Sequence, residues 1–134
     1  MTPIEGSAPT FRPQRVLIVE DDGDARQVLT NLVLRLGHVV QAAATGPDGF
    51  AAVAEFRPGI ALIDLGLPGE DGCALARRIR GALGAGTPLL VAYTGQTGNE
   101  ARAAALEAGF DRCVLEPVGL DELIALLAPQ PHVA

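Results

Sequence analysis

Lysine is absent from this sequence, and all ten basic residues are arginine. Tryptophan is absent too, and aromatics make up 4% of the 134 residues, so a core must be built from Ala, Val, Leu and Ile. The two cysteines, Cys73 and Cys113, are too few for a disulfide framework or a zinc site. No apolar run approaches the roughly 20 residues that a membrane-spanning helix needs. Met1 to Pro13 has neither a basic stretch nor an apolar stretch of the kind a secretory signal carries. An excess of basic residues is also missing: the net charge is -6, which argues against a nucleic-acid-binding face. With 49% hydrophobic and 19% charged residues, these absences lead us to expect one cytoplasmic, reduced, globular domain without membrane insertion.

What is present is an alternation of two kinds of segment. Pro3, Pro9, Pro13, Gly6 and Ser7 mark residues 1–13 as a flexible tail or linker remnant, and 129–134 reads the same way, leaving 14–128 as the domain. Inside it, apolar runs lie at Val16–Val19, His38–Ala42, Ile60–Ile63, Leu89–Tyr93 and Cys113–Leu115. The first, third and fourth are nearly unbroken, as strands buried on both faces should be. Helical spacing separates them. Val28, Leu29, Leu32, Val33 and Leu36 form one apolar stripe, stopped by Gly37. Phe50, Val53, Ala54 and Phe56 end at Pro58, and Leu75, Arg78 and Ile79 end at Gly81. Ala101 to Ala108 ends at Gly109, and Leu120, Leu123, Ile124 and Leu127 close before Pro129. Five β–α units with right-handed crossovers imply an α/β fold: a doubly wound, flavodoxin-like (βα)5 parallel sheet in the order 2-1-3-4-5. Ligands of such sheets bind beyond the carboxyl ends of the strands, where the strand order reverses.

Those strand ends carry the chemistry-bearing residues. Glu20, Asp21 and Asp22 follow the first strand, and Asp64 follows the third, its neighbour in the expected order. Glu20, Asp21 and Asp64 would then converge, and crowded carboxylates repel one another unless a cation sits among them. Hard oxygen donors in this number suit Mg²⁺. Asp22 and Asp24 have a plainer use as N-caps for a helix beginning near Ala25. A turn carboxylate ahead of Gly66 and Pro68 is the plainer use of Asp64, disfavoured because four hydrophobic residues precede it and its strand end faces the acidic pair. Thr94-Gly95 follows the fourth strand, either as a hydroxyl for an incoming phosphoryl oxygen or as a helix cap. Glu116-Pro117 follows the fifth, where Pro117 supports a rigid or cis turn. The Gly81, Gly84, Gly86 stretch follows a helix and precedes a strand, the reverse of a dinucleotide-binding loop, and reads as a connection.

Glu20-Asp21, Asp64 with Leu67-Pro68-Gly69 and Asp71-Gly72, Thr94-Gly95 and Glu116-Pro117 stand in the order and spacing of response-regulator receiver domains. The resemblance runs from about Arg15 to Leu127. It implies a phosphorelay module in which Asp64 accepts a phosphoryl group from a histidine kinase, hybrid kinase or phosphotransfer protein. It further implies Mg²⁺ bound by Asp21, Asp64 and the Gly66 carbonyl, with Glu20 acting directly or through water. Thr94 would contact the phosphoryl group and move on activation. Output would be by docking to a downstream protein, through the last two helices and the fifth strand, from a monomer or weak dimer. Only a short tail follows the last helix, so no DNA-binding output domain is expected after it.

Two positions depart from that family's pattern. Glu116 stands where the family carries Lys, and no other Lys is available to replace it. Glu116 either turns away to solvent or to an Arg such as Arg112 or Arg26, or it stays and adds a fourth carboxylate to the pocket. Cys113 occupies the position of the family's switching aromatic. Tyr93 could take over an aromatic role, but strand alternation points it to the opposite face from Thr94. Cys113 and Cys73 read as small core residues, and His38 as structural. Two other functions compete with the phosphorelay: an atypical docking domain that works without phosphorylation because of Glu116, and a small Mg²⁺ phosphatase with Asp64 as nucleophile. The phosphatase is disfavoured because Gly66 supplies no general acid two residues on.

Overall fold

The computed structural model describes residues 12–84, 88–95 and 99–128. Its elements, in chain order, are β1 (Arg15–Val19), α1 (Gly23–Arg35), β2 (Val39–Ala43), α2 (Gly46–Phe56), β3 (Ile60–Asp64), α3 (Gly72–Leu83), β4 (Leu89–Thr94), α4 (Asn99–Ala108), β5 (Arg112–Leu115) and α5 (Leu120–Leu127). The strands form one parallel sheet in the order β2-β1-β3-β4-β5, as the sequence pattern requires. The register aligns Val19 with Ile63, Asp64 with Tyr93 and Thr94 with Leu115, so four strand ends meet along one edge.

Both faces of the sheet are covered. On one, Leu17, Val19, Ile63 and Ala92 pack with Leu75 and Ile79 of α3 and Ala105 of α4. On the other, Val16, Ile18, Leu62 and Tyr93 pack with Val33 of α1 and Leu123 of α5. Each large aliphatic side chain fully buried here contributes about 1.5–3 kcal/mol of hydrophobic transfer. This two-sided burial is why β1, β3 and β4 read as unbroken apolar runs.

Beyond one-residue extensions of β1, β3, β4 and β5, three boundaries differ from the sequence reading in ways that bear on local structure. β2 begins at Val39 and runs to Ala43, one residue later than expected. His38 lies just before it, buried, with its Nδ1 accepting the Gln14 N–H at 2.9 Å. Burial lowers the His38 pKa, so the ring serves as a neutral acceptor, which agrees with its structural reading. The third helix passes through Gly81 to Leu83 and stops at Gly84, where φ is 82°. A helical glycine costs only about 1 kcal/mol, less than the burial of Leu75, Ala76 and Ile79 on the same helix returns. The first helix begins at Gly23, and the cap is Asp22, whose carboxylate accepts the Ala25 N–H at 2.8 Å, while Asp24 lies in the first turn. The composition-based tail 129–134 and most of 1–13 lie outside the described residues.

Candidate functional site

The carboxyl ends of β1 and β3 bring Glu20, Asp21 and Asp64 together. One carboxylate oxygen from each lies within 4.8 Å of the others. Glu20 is buried, Asp64 is half-buried and Asp21 is exposed, so the group opens to solvent on one side.

Two of the three carboxylates, Asp64 and Glu20, are held by hydrogen bonds. Asp64 is the last residue of β3, and its Oδ1 accepts the Gly66 N–H at 2.9 Å. Beyond it the chain doubles back. Leu65 donates its N–H to Tyr93 O and accepts from the Gly72 N–H, and Asp71 caps α3 by accepting the Ala74 N–H at 2.8 Å. Glu20 is fixed at both oxygens: Oε2 accepts the Asp22 N–H at 3.1 Å, and Oε1 accepts the Tyr93 hydroxyl at 3.0 Å. Burial pushes the Glu20 pKa up to about 7; the Asp64 charge adds to this, while the two hydrogen bonds from Asp22 and Tyr93 oppose it. Arg26, half-buried on α1, donates to the carbonyl oxygens of Glu20 at 2.9 Å and Asp21 at 3.3 Å, tying down the β1–α1 turn.

Thr94 ends β4, buried, and its carbonyl accepts the Glu116 N–H at 2.9 Å. Glu116 opens the β5–α5 connection, and its peptide bond to Pro117 is cis. Of the two fates open to Glu116, pairing with Arg112 or Arg26 is not what the structure shows. Arg26 is committed to backbone carbonyls, and neither of the two ion pairs among the described residues includes Glu116. Its side chain is exposed, yet its carboxyl pKa is raised by burial first and then by the charges of Asp64 and Asp21. A Cβ on Gly95 would stand 3.7 Å from Glu116 Oε2. Glu116 is thus exposed and outside the close group of Glu20, Asp21 and Asp64, but near enough for the charges of Asp64 and Asp21 to raise its carboxyl pKa.

A family model for the response regulator receiver domain matches residues 16–128. The chain belongs to this family. Among curated relatives, it is 36% identical over 113 residues to the transcriptional regulatory protein KdpE of Mycobacterium tuberculosis, covering 84% of this chain and 48% of that protein. It is 37% identical over 111 residues to the virulence transcriptional regulatory protein PhoP of Salmonella typhimurium, covering 83% and 49%. The receiver chain thus spans about half the length of these relatives. Among solved structures, a CheY-like response regulator receiver domain protein from Methanospirillum hungatei superposes with a TM-score of 0.78 at 26% identity, covering 87% of this chain and 91% of that one. A two-component response regulator of the LuxR family from Aurantimonas superposes with a TM-score of 0.78 at 29% identity, covering 85% and 81%.

Within this receiver, Cys113 sits half-buried on β5 and packs against the core, as does Cys73 on α3. Burial raises both thiol pKa values, which favours a packing role over thiolate chemistry. Neither is as enclosed as a core reading implies. Two residues of the site escaped the sequence reading in part. Tyr93 does point away from Thr94, but its hydroxyl reaches Glu20. Arg26, one of the arginines open to Glu116 on the sequence alone, donates to backbone carbonyls instead. An (i, i+6) arginine after a strand-end glutamate was the available signal for the second; nothing in strand periodicity signals the first.

Proposed function

We propose that this receiver domain is a phosphoacceptor of a two-component phosphorelay, with Asp64 taking a phosphoryl group from a phosphohistidine. A carboxylate oxygen of Asp64 attacks phosphorus, the P–O bond forms as the P–N bond breaks, and the departing imidazole nitrogen is protonated. The observation that carries this reading is the meeting of Glu20, Asp21 and Asp64 within 4.8 Å at the junction of β1 and β3. Their hard oxygen donors fit Mg²⁺, with Asp21, Asp64 and the Gly66 carbonyl as direct ligands and Glu20 direct or through water. When bound, that ion offsets negative charge on the transferred group. This chain's own contributions are alignment and a donor. The Gly66 N–H sets the Asp64 carboxylate, and the Thr94 hydroxyl, at the end of β4, would donate to a phosphoryl oxygen. The partners on this reading are a histidine kinase or phosphotransfer protein as donor and a downstream protein that docks on the α4–β5–α5 side, where Leu106, Leu115, Leu120 and Ile124 are exposed.

The test is phosphotransfer from a phosphorylated histidine kinase domain, followed by intact-mass determination. The wild type gains one phosphoryl group and Asp64→Asn gains none. Equal labelling of both proteins overturns the reading.

One observation favours a second reading, docking without phosphorylation: the position where the family carries Lys holds Glu116, whose carboxyl pKa is raised by burial and by the charges of Asp64 and Asp21. On that reading neither protein labels, and partner binding is unaffected by Asp64→Asn.

A further inference from the structure

Tyr93 occupies an unusual place between the acidic group and the body of the protein. Its ring is buried on the α1–α5 face of the sheet, packed in the cluster that includes Val16, Ile18 and Leu123. Its hydroxyl leaves that apolar layer to donate to Glu20 Oε1 at 3.0 Å. The other oxygen of the same carboxylate accepts the Asp22 N–H. A carboxylate pinned at both oxygens by donors from two different elements has its rotamer and its remaining lone pairs fixed before any ligand arrives. The same ring lines a groove of about 540 Å³ between α1 and the β5–α5 connection, together with Val28, Leu32, Glu116, Pro117 and Val118.

We propose that Tyr93 is a positioning residue for the divalent cation: its hydroxyl presets Glu20 for the ion, and through the ring the occupancy of the acidic group is felt at the groove between α1 and the β5–α5 connection. The inference rests on the metal-binding reading of Glu20, Asp21 and Asp64 given above. Outer partners of this kind orient the carboxylate and typically change metal affinity by about 10–100-fold when removed. The conformational consequence differs from a switch in β5: Cys113 offers no aromatic ring on that face, while Tyr93 supplies one on the opposite face, attached directly to the acidic group.

The molecule supplies its own probe. Tyr93 is the single tyrosine and there is no tryptophan, so tyrosine fluorescence and near-ultraviolet circular dichroism report on this side chain above a weak phenylalanine background. We would titrate the full chain with Mn²⁺, reading bound ion by electron paramagnetic resonance, and with Mg²⁺, reading tyrosine fluorescence. Wild type, Tyr93→Phe and Glu20→Gln would be compared, with far-ultraviolet circular dichroism confirming that each variant is folded. The expected results are a tyrosine signal that changes with cation occupancy in the wild type and about tenfold weaker Mn²⁺ binding by Tyr93→Phe. The double variant Tyr93→Phe/Glu20→Gln should bind no more weakly than Glu20→Gln alone, because the hydroxyl acts only through that carboxylate. If the wild type binds Mn²⁺ and folded Tyr93→Phe binds it as tightly, or the tyrosine signal stays constant while the ion binds, the inference is overturned and the metal reading stands. A wild type that binds no Mn²⁺ overturns both. If Tyr93→Phe does not fold, loss of the signal change in Glu20→Gln decides the matter, and a change that persists there overturns the inference.

Discussion

The backbone of Gly72 lies against the carbonyl oxygen of Asp64: a Cβ at Gly72 would meet that oxygen at 2.5 Å and the Leu65 Cα at 2.9 Å. The start of α3 is thereby seated directly on the residue proposed as phosphoacceptor. The contact is made by backbone on both sides, so no rotamer change can relieve it. Gly72→Ala should move the start of α3 away from Asp64 and cost about 1–3 kcal/mol, the usual scale for overpacking a close contact. Urea unfolding measures this directly. An alanine variant as stable as the parent would show that the β3–α3 loop yields freely. Gly81→Ala is the control, because nothing lies within 4 Å of a Cβ there, and it should be neutral or slightly stabilising.

The raised pKa of Glu20 sets a sign for the pH dependence of the metal-free protein. Its carboxyl is pushed from 4.5 up to about 7 by burial, with Asp64 adding and the Asp22 N–H and Tyr93 hydroxyl opposing. The folded state therefore holds a proton there that the unfolded state has already released. The stability this contributes is full below the unfolded value and is lost as pH rises to about 7. His38 acts in the other direction: its pKa is lowered, so folding is penalised as pH falls below its ordinary 6.5. The two contributions overlap, and the clean measurement is a difference. In chelator, wild type should lose stability relative to Glu20→Gln between pH 5 and pH 8, and saturating Mg²⁺ should abolish most of that loss at pH 8. A difference that stays flat with pH would show that Glu20 ionises as an ordinary surface carboxylate.

Arg26 is the third test. Its guanidinium donates to two carbonyl oxygens of the turn that carries Glu20 and Asp21. Hydrogen bonds to a charged donor contribute about 1.5–3 kcal/mol each when buried; this side chain is half-buried, so a total near 1–2 kcal/mol is expected. Arg26→Met keeps the apolar stem and removes the donors. It should lower stability in chelator by about that amount, and Arg26→Lys should recover part of it, because an ammonium also donates to carbonyl oxygens. Equal unfolding midpoints for all three would mean that the bonds to Glu20 and Asp21 exchange freely with water.

The sheet order was legible because β1, β3 and β4 are buried on both faces and read as unbroken apolar runs. β2 lies at the sheet edge, its only buried residue being Ala43, so its pattern is weak and puts its start one residue early. Glu20, Asp21 and Asp64 were legible from strand ends and sheet order together, since the register fixes which ends are neighbours. Side-chain reach is another matter. Alternation correctly separates Tyr93 from Thr94, but period two gives only the face, and a tyrosine is long enough to return to the edge of the sheet from the far side. Glu116 had two open fates because exposed carboxylates choose partners by local geometry, which spacing does not encode.

The last prediction concerns Glu116, an anion beside an acidic group in a chain without lysine. Its raised pKa, caused by burial and then by Asp64 and Asp21, means that ionisation there is opposed even before a phosphoryl group arrives. Phosphorylation adds further negative charge, so the repulsion grows as Asp64 reacts. At about 4–5 Å and an effective dielectric near 20, one unit-charge contact amounts to about 3–4 kcal/mol. Exposure of Glu116 and screening by salt reduce the realised effect to about 1 kcal/mol or less. Glu116→Lys reverses the sign of that contact. The variant should be more stable than the parent in chelator, should take label on Asp64 several-fold faster, and should show larger NMR shifts around Thr94 and Cys113 on beryllofluoride binding. Equal rates and equal shifts would place Glu116 outside the electrostatics of the site. Failure of both proteins to label, with Mg²⁺ bound, would instead favour docking without phosphorylation, because a restored cation would then have removed the one obstacle that Glu116 presents.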